Sequence, residues 1–284
     1  MPIPPEQADQ FRADSRARWE GAAAGWGAAR ESFQRDASPV SYRMIDAIRA
    51  QPGHTVLELA AGPGDTGFLA AELIRPGGTL ICTDTAEAML DVARARAAEL
   101  RLDNVEFVLM DAEWIDRGAA SLDAILCRWG VMLLADPESA LREARRTLRP
   151  GGRIAIATWA APDRNPWSMG RLLVRLGVLP AAPDDVPGPF ALADPDALAE
   201  LLWGVGFDDV EVEAVDFSFT APDTEAWWQQ QLHCSPSLRG ATSGLSPAAH
   251  YELRDAVDAE LAQFTAGDGS ISIPARALVA AAGA

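Results

Sequence analysis

From Thr55 onward, short apolar runs alternate with longer stretches in which apolar residues recur every three or four positions. Compact apolar or alternating runs mark strands, and the three-to-four spacing marks helices. Residues 55–59, 79–84, 105–108, 122–128 and 153–159 are therefore expected to be five strands. Between them, Phe68, Leu69, Leu73 and Ile74 share one helical face, Met89, Val92, Ala93, Arg96 and Leu100 mark a second helix, and Asp136-Pro137 opens a third. Two of these helices stop on the same device, Arg75-Pro76-Gly77-Gly78 and Arg149-Pro150-Gly151-Gly152, with Arg at the last turn and Pro and Gly beyond it. This strand–helix rhythm predicts an α/β fold with a parallel sheet.

The flanks read differently. Phe11, Trp19 and Ala22 or Ala23 lie at helical spacing, a break is expected near Gly25 and Gly27, and a second helix covers residues 39–50. Beyond Ala160 the text turns rich in Pro and Trp. It predicts a helix at 167–176, a loop at 180–189 with four prolines, a helix at 195–202, a half-exposed strand at 210–220, helices at 224–232 and 247–266, and a last strand at 270–280. The expected organisation is an N-terminal helical cap (1–50), a Rossmann-like core (51–160), and lid helices with the last two strands (161–284). Helices inserted after the fifth and sixth strands would lie over the carboxyl edge of the sheet, where open α/β folds bind ligands.

Composition narrows the chemistry. Hydrophobic residues make up 49% of the 284, enough for one large core with elaborations, and no apolar run approaches the roughly 18 residues of a membrane span. With no signal-like N-terminus, a cytoplasmic location and no membrane partner are expected. The net charge of −17 argues against a nucleic-acid partner, because phosphate binding relies on clustered basic residues. All 24 basic residues are Arg. The missing Lys excludes Schiff-base aldolases, pyridoxal-phosphate enzymes and P-loop NTPases, each of which needs a Lys amine. Cys82, Cys127 and Cys234 have no metal-ligand or disulfide spacing, and the first two read as buried strand thiols. No metal is expected, and a homodimer stays open.

The candidate chemistry sits in the turn after the first strand. Gly62, Gly64 and Gly67 have GxGxxG spacing and open a helix. Such a turn lets a ligand approach the backbone closely, but nicotinamide, flavin and sulfonium binders share it. Asp84 ends the second strand 20 residues after Gly64, in place to accept hydrogen bonds from ribose hydroxyls in any of these cofactors. A diphosphate favours a helix N-terminus free of negative charge. Here Glu58 precedes the turn and Asp65 starts the helix, which suits a ligand carrying an ammonium and a sulfonium. The residues thus favour S-adenosylmethionine, while a nicotinamide-dependent oxidoreductase and a protein that uses the cofactor structurally remain alternatives.

Four segments together resemble the successive motifs of class I S-adenosylmethionine-dependent methyltransferases of the ubiquinone/menaquinone-biosynthesis type. They are Val56-Leu57-Glu58-Leu59-Ala60-Ala61-Gly62-Pro63-Gly64, Cys82-Thr83-Asp84 with Met89-Leu90, Met110-Asp111-Ala112-Glu113, and Leu148-Arg149-Pro150-Gly151-Gly152-Arg153. The resemblance implies a seven-stranded, mostly parallel sheet in the order 3-2-1-4-5-7-6. It implies that Glu58 holds the methionine ammonium, that Gly62 and Gly64 line the methionyl part, and that Asp84, with Thr85, takes the ribose. Met89 would pack on the adenine, and Asp111, Ala112 and Glu113 would recognise its edge. Arg128 and Trp129 would face the sulfonium and the substrate, and Trp26 would close over the cofactor. Ala60 stands where the family more often has Gly.

Methyl transfer needs alignment and desolvation more than catalytic apparatus. A phenol or enol acceptor would profit from a general base, and of the three histidines His233 is the best placed, next to the helix bearing Trp227 and Trp228. The expected reaction is metal-independent O- or C-methylation of a small, apolar or aromatic metabolite, with Trp129, Trp167, Trp227 and Trp228 as its wall and S-adenosylhomocysteine as co-product.

Overall fold

A computed structural model describes residue 3, residues 5–180 and residues 186–284. Its first element departs from expectation. Helix α1, Pro5–Ile48, is one continuous helix of 44 residues, with no break at Gly25 or Gly27. An interior helical Gly weakens a helix by only about 1 kcal/mol relative to Ala, which tertiary packing easily offsets. Gly25 is required by such packing: a Cβ there would stand 2.3 Å from the carbonyl oxygen of His233. Pro39 lies inside the helix and removes one backbone donor, and the hydroxyl of Ser38 donates instead to the carbonyl of Arg35 at 2.9 Å.

The sheet contains β1 (Thr55–Glu58), β2 (Thr79–Asp84), β3 (Val105–Leu109), β4 (Leu122–Arg128), β5 (Leu148–Trp159), β6 (Asp208–Ala221) and β7 (Ile271–Gly283). Their order is β3-β2-β1-β4-β5-β7-β6, as the family resemblance implied. The first five are parallel, whereas β7 runs antiparallel to both β5 and β6. Helices α2 (Asp65–Leu73), α3 (Glu87–Leu100) and α4 (Pro137–Thr147) make the crossovers. The Asp136-Pro137 start of α4 is as expected, with the Asp136 side chain accepting from the Ser139 amide.

Alternation along the strands divides the core between the two faces. Val56, Leu80, Cys82, Ala124, Ala155 and Ala157 pack with α1, α2 and α3, whereas Leu57, Ile81, Ile125, Ile154 and Ile156 pack with α4 and with α6 (Pro195–Gly204). The α1 face is lined by small residues, which admits that long helix close to the sheet. Cys82 and Cys127 are buried as expected, and burial pushes the Cys127 thiol up to about 12.

A third core lies beyond the end of the sheet. There α5 (Gly170–Arg175), α7 (Thr224–Cys234), α8 (Pro236–Ser243) and α9 (Pro247–Leu261) bury Leu172, Trp227, Leu238, Leu253 and Val257 against Ile271 and Ile273. Helix α8 was not anticipated, and α5 is shorter than the expected 167–176. Residues 181–185 of the proline loop lie outside the described residues. Among the described residues no helix is long and apolar enough to cross a membrane.

Candidate active site

The glycine turn is tied between its neighbouring strands. Leu59 N donates to Leu126 O at 2.8 Å, Ala61 N to Thr83 O at 2.9 Å, and the Thr83 hydroxyl to Glu58 O at 2.7 Å. Gly62 and Gly64 have positive φ, and so does Ala60, at 49°. The family's preference for Gly at position 60 thus has a backbone cause, since a Cβ is strained in the left-handed region.

Glu58 is 2% exposed. Its Oε1 accepts the Gly67 amide at 2.9 Å, and its buried Oε2 has no partner. Gly67 is obligatory here, because a Cβ would fall 2.2 Å from that Oε2. Desolvation pushes the carboxyl up to about 8, opposed by the Gly67 amide and Arg128. Asp65 is also buried, and desolvation raises its pKa, opposed by Arg128, Arg30 and Arg96. Arg30 and Arg96 stand 4.0 and 3.9 Å from its Oδ1. Asp65 thus lies beside arginines of α1 and α3, at the limit of ion pairing and with no hydrogen bond from either. Glu58 Oε2 is left as an open, buried acceptor.

Arg128, at the end of β4, donates from Nη1 to Gln34 at 2.9 Å and to Ser41 at 3.0 Å, both on α1. Ser41 in turn shares a hydrogen bond of 3.1 Å with Thr66 of α2. The surrounding chain desolvates the guanidinium and lowers its pKa, although part of the residue stays accessible.

Beside Arg128 the ends of β4, β5 and β6 build an aromatic wall. The Trp129 and Trp159 rings stack at 4.3 Å with an interplanar angle of 10°. Phe33 of α1 meets Trp129 edge-on at 5.4 Å, Trp167 lies 4.6 Å from Trp159, and Phe217 and Phe219 fill the β6 side. Trp129 also has a positive φ, 59°. Helix α1 carries Trp19, Trp26, Phe33 and Val40 seven residues apart, a spacing that keeps one face toward the sheet. Trp26 joins the wall through Phe33, at 4.9 Å.

A family model described as a methyltransferase domain matches residues 50–174. Nocamycin O-methyltransferase of Saccharothrix syringae is 32% identical over 199 residues, 66% of this chain and 71% of that enzyme. The ubiquinone/menaquinone biosynthesis C-methyltransferase UbiE of Escherichia coli K12 is 30% identical over 179 residues, 59% and 71% of the two chains. The chain belongs to the class I S-adenosylmethionine-dependent methyltransferases. The YcgJ protein of Bacillus subtilis shares the fold, with a TM-score of 0.56 at 18% identity over 85% of this chain and 96% of its own. The cofactor of this methyltransferase is S-adenosylmethionine, and the nicotinamide alternative falls away.

Within the methyltransferase, Glu58, Asp84 and Arg128 stand at the carboxyl ends of β1, β2 and β4, around the turn. Asp84 accepts the Gly62 amide at 2.9 Å and the Ala86 amide at 3.0 Å. Burial raises its pKa, and the amides of Ala86, Gly62 and Thr85 oppose that rise. Asp111 accepts the Glu113 amide at 2.9 Å, and Ala112 between them is buried.

Glu113 is held instead by α1: Arg12 donates to its Oε2 from Nε at 3.0 Å and from Nη2 at 2.6 Å, and Asp136 N donates to Oε1. This pairing ties the start of α1 to the loop after β3. Met89 packs with Ala22 and Ala23 of α1 and with Ala86. Glu20 of α1 accepts the Glu87 and Ala88 amides, so the helix covers the start of α3.

Three expected residues lie elsewhere. Trp227 is wholly buried in the core of the lid helices, and Trp228 packs there under Arg254, whose guanidinium is 5.0 Å from its ring. Both anchor α7 and leave the wall to Trp129 and Trp167. Even Trp167 spends its indole N–H on Asn165, at 2.8 Å. His233 is exposed beside a cavity of about 260 Å³ that Ala28, Ser32 and Arg35 of α1 also line. Ala28 and Arg35 follow Trp26 and Phe33 by two residues, about 200° round the helix. His233 thus faces a cavity on the side of α1 away from Trp26 and Phe33, which disfavours it as the base. Sequence reasoning missed Phe33, Trp159, Phe217 and Phe219. Their signals were the seven-residue aromatic spacing on α1 and the alternation of Phe217 with Phe219 on β6.

Proposed function

We propose that this enzyme methylates a small, apolar metabolite with an aromatic or polyketide-like skeleton, on oxygen or carbon and without a metal. The observation that carries this reading is the aromatic wall beside the glycine turn. Large flat side chains with few polar atoms favour a flat, apolar guest. When bound, S-adenosylmethionine supplies an electrophilic methyl group on a sulfonium.

The residues fit that cofactor. The unpartnered Oε2 of Glu58 suits its ammonium, the turn at Gly62 and Gly64 its methionyl part, and Asp84 its ribose. The family resemblance gives the adenine edge to Asp111 and Ala112, and Trp26 of α1 packs beside Met89 and Ala86. The relatives support small-molecule acceptors, one named for O-methylation of nocamycin and one for C-methylation in quinone biosynthesis. Isothermal titration should show S-adenosylhomocysteine binding in preference to NAD and NADP. Transfer of a labelled methyl group to a panel of phenols, enols and amines tests the acceptor class. Transfer confined to polar aliphatic amines would refute it.

A further inference from the structure

We infer that the first half of α1, residues 5–24, is a strap over the adenosine end of the cofactor site, and that Arg12 and Glu113 form the latch that sets how fast the cofactor enters and leaves. This rests on the cofactor site proposed at the glycine turn, and it makes Arg12 and Glu113 positioning residues that act through α1.

The strap covers what the cofactor has to touch. Asp84, Ala86 and Met89 are buried, and the residues packed on Ala86 and Met89 are Ala22, Ala23 and Trp26 of α1. Glu20 accepts the Glu87 and Ala88 amides at 2.7 and 3.0 Å. It thereby caps α3 from another helix, since the N-cap residue of α3 is Ala86, which has no side-chain oxygen to offer. A ligand that is to meet Asp84 and Met89 enters beneath this part of α1, so the helix must lift to admit it.

Its fastening is graded along the helix. Ala37, Val40, Met44 and Ile48 belong to the core on the α1 face of the sheet, whereas of residues 6–21 Ala8 alone is buried. This outer end is tied by hydrogen bonds, from Ile3 N to Ala135 O at 3.1 Å, from Arg12 to Glu113, and from the start of α3 to Glu20. Segments that bury little apolar surface open at a lower free energy than the core. Gly25, seated against the carbonyl of His233 on α7, marks where the firmly held part begins and gives the strap its pivot.

The latch joins α1 to the loop after β3. The Glu113 side chain is 7% exposed and also accepts Asp136 N, so it is fixed on its own side; Arg12, 33% exposed, is the half that moves. A cavity of about 920 Å³ borders the pair and is lined as well by Asp111 and Trp114. It reaches Asp111, to which the resemblance gives the adenine edge, from outside, and so puts the mouth of the site beside the latch.

The test follows S-adenosylhomocysteine binding to the full chain by stopped-flow tryptophan fluorescence, with Trp19 and Trp26 as reporters on and beside the strap. Arg12→Gln and Glu113→Gln should each raise the association and dissociation rate constants together, by roughly threefold to tenfold, the scale of a partly exposed charged pair. Equilibrium affinity should stay nearly constant, because the latch is closed both before and after binding. The double variant should be no faster than either single one, since both open the same latch. Amides of residues 6–20 should exchange faster in Arg12→Gln, while those of β1 and β4 keep their protection and show the variant to be folded. Arg175→Gln breaks an exposed pair with Glu260 far from the strap and should leave both rates as they are. Rate constants unchanged in both latch variants, or affinity lost through dissociation alone, as when Glu113 itself touches the adenine, overturn the inference and leave the cofactor reading intact. Failure of S-adenosylhomocysteine to bind the unaltered enzyme overturns both.

Discussion

Glu58 accepts the Gly67 amide at 2.9 Å through one oxygen and keeps the other buried without a partner. Burial pushes its carboxyl from the ordinary 4.5 up to about 8. Across that window the folded protein binds more protons than the unfolded chain, so this group makes the free enzyme less stable as pH rises from about 4.5 to 8. An ammonium placed against Oε2 favours the ionised carboxylate. Cofactor binding near pH 6.5 is therefore expected to release a proton, and affinity to rise with pH by up to roughly tenfold per unit. Calorimetry in buffers of different ionisation enthalpy counts the proton. Glu58→Gln should release none and bind with a flatter pH profile, and unchanged proton release in that variant would free Glu58 of the role.

Asp84 holds the turn and faces the expected ribose with the same carboxylate. Asp84→Ala should weaken S-adenosylhomocysteine binding by roughly 1.5–3 kcal/mol, the worth of a hydrogen bond to a charged group. It should also loosen the turn, because the Gly62 and Ala86 amides lose their acceptor. Hydrogen exchange at those two amides separates the effects. Protection lost with affinity intact would make Asp84 a structural residue only.

Ala60 departs from its family's usual glycine and sits at φ 49°. Its methyl also limits the neighbouring loop: a Cβ on Gly130 would lie 2.6 Å from it. Ala60→Gly removes a strained Cβ but adds freedom to the unfolded chain. The relief is expected to win by about 0.5–1 kcal/mol. A urea midpoint moving upward at constant slope is the measurement, and a downward shift would mean that the methyl has a packing role that outweighs its strain.

The parallel core was legible because strands buried on both faces read as short apolar runs and the helices between them carry strong stop signals, as at 75–78 and 149–152. The order of the last two strands came from the family resemblance, since β5, β6 and β7 join through long excursions that no local pattern describes. Glycine misled at 25 and 27. Local propensity reads it as a break, whereas at 25 its cause is a neighbour distant in sequence, the carbonyl of His233. The arginines beside Asp65 were hidden for the same reason: Arg30 and Arg96 are brought to it by α1 and α3. Trp227 and Trp228 carry the same composition signal as Trp129, and only their element's depth in the lid core separates anchor from wall.

His233 faces the cavity beside Ala28 and Arg35, so His233→Ala is expected to change kcat/KM by less than about twofold at any pH between 6 and 9. A loss of a hundredfold or more, with a matching change in the pH profile, would place a base at that position after all.

The join between α1 and α7 rests on Gly25. Gly25→Val would drive its side chain into the carbonyl of His233, from which a Cβ is only 2.3 Å distant, and backbone atoms cannot move aside as a flexible side chain would. The two helices must separate, at a cost of about 1–3 kcal/mol, the usual range for overpacking. Gly21 lies one turn earlier with nothing within 4 Å of its would-be Cβ, so Gly21→Ala should instead stabilise the helix by up to ~1 kcal/mol. Thermal unfolding of the two variants gives opposite shifts if glycine at 25 serves contact and glycine at 21 does not. Equal destabilisation of both would mean that α1 needs flexibility along its length, and the contact with α7 would then be incidental.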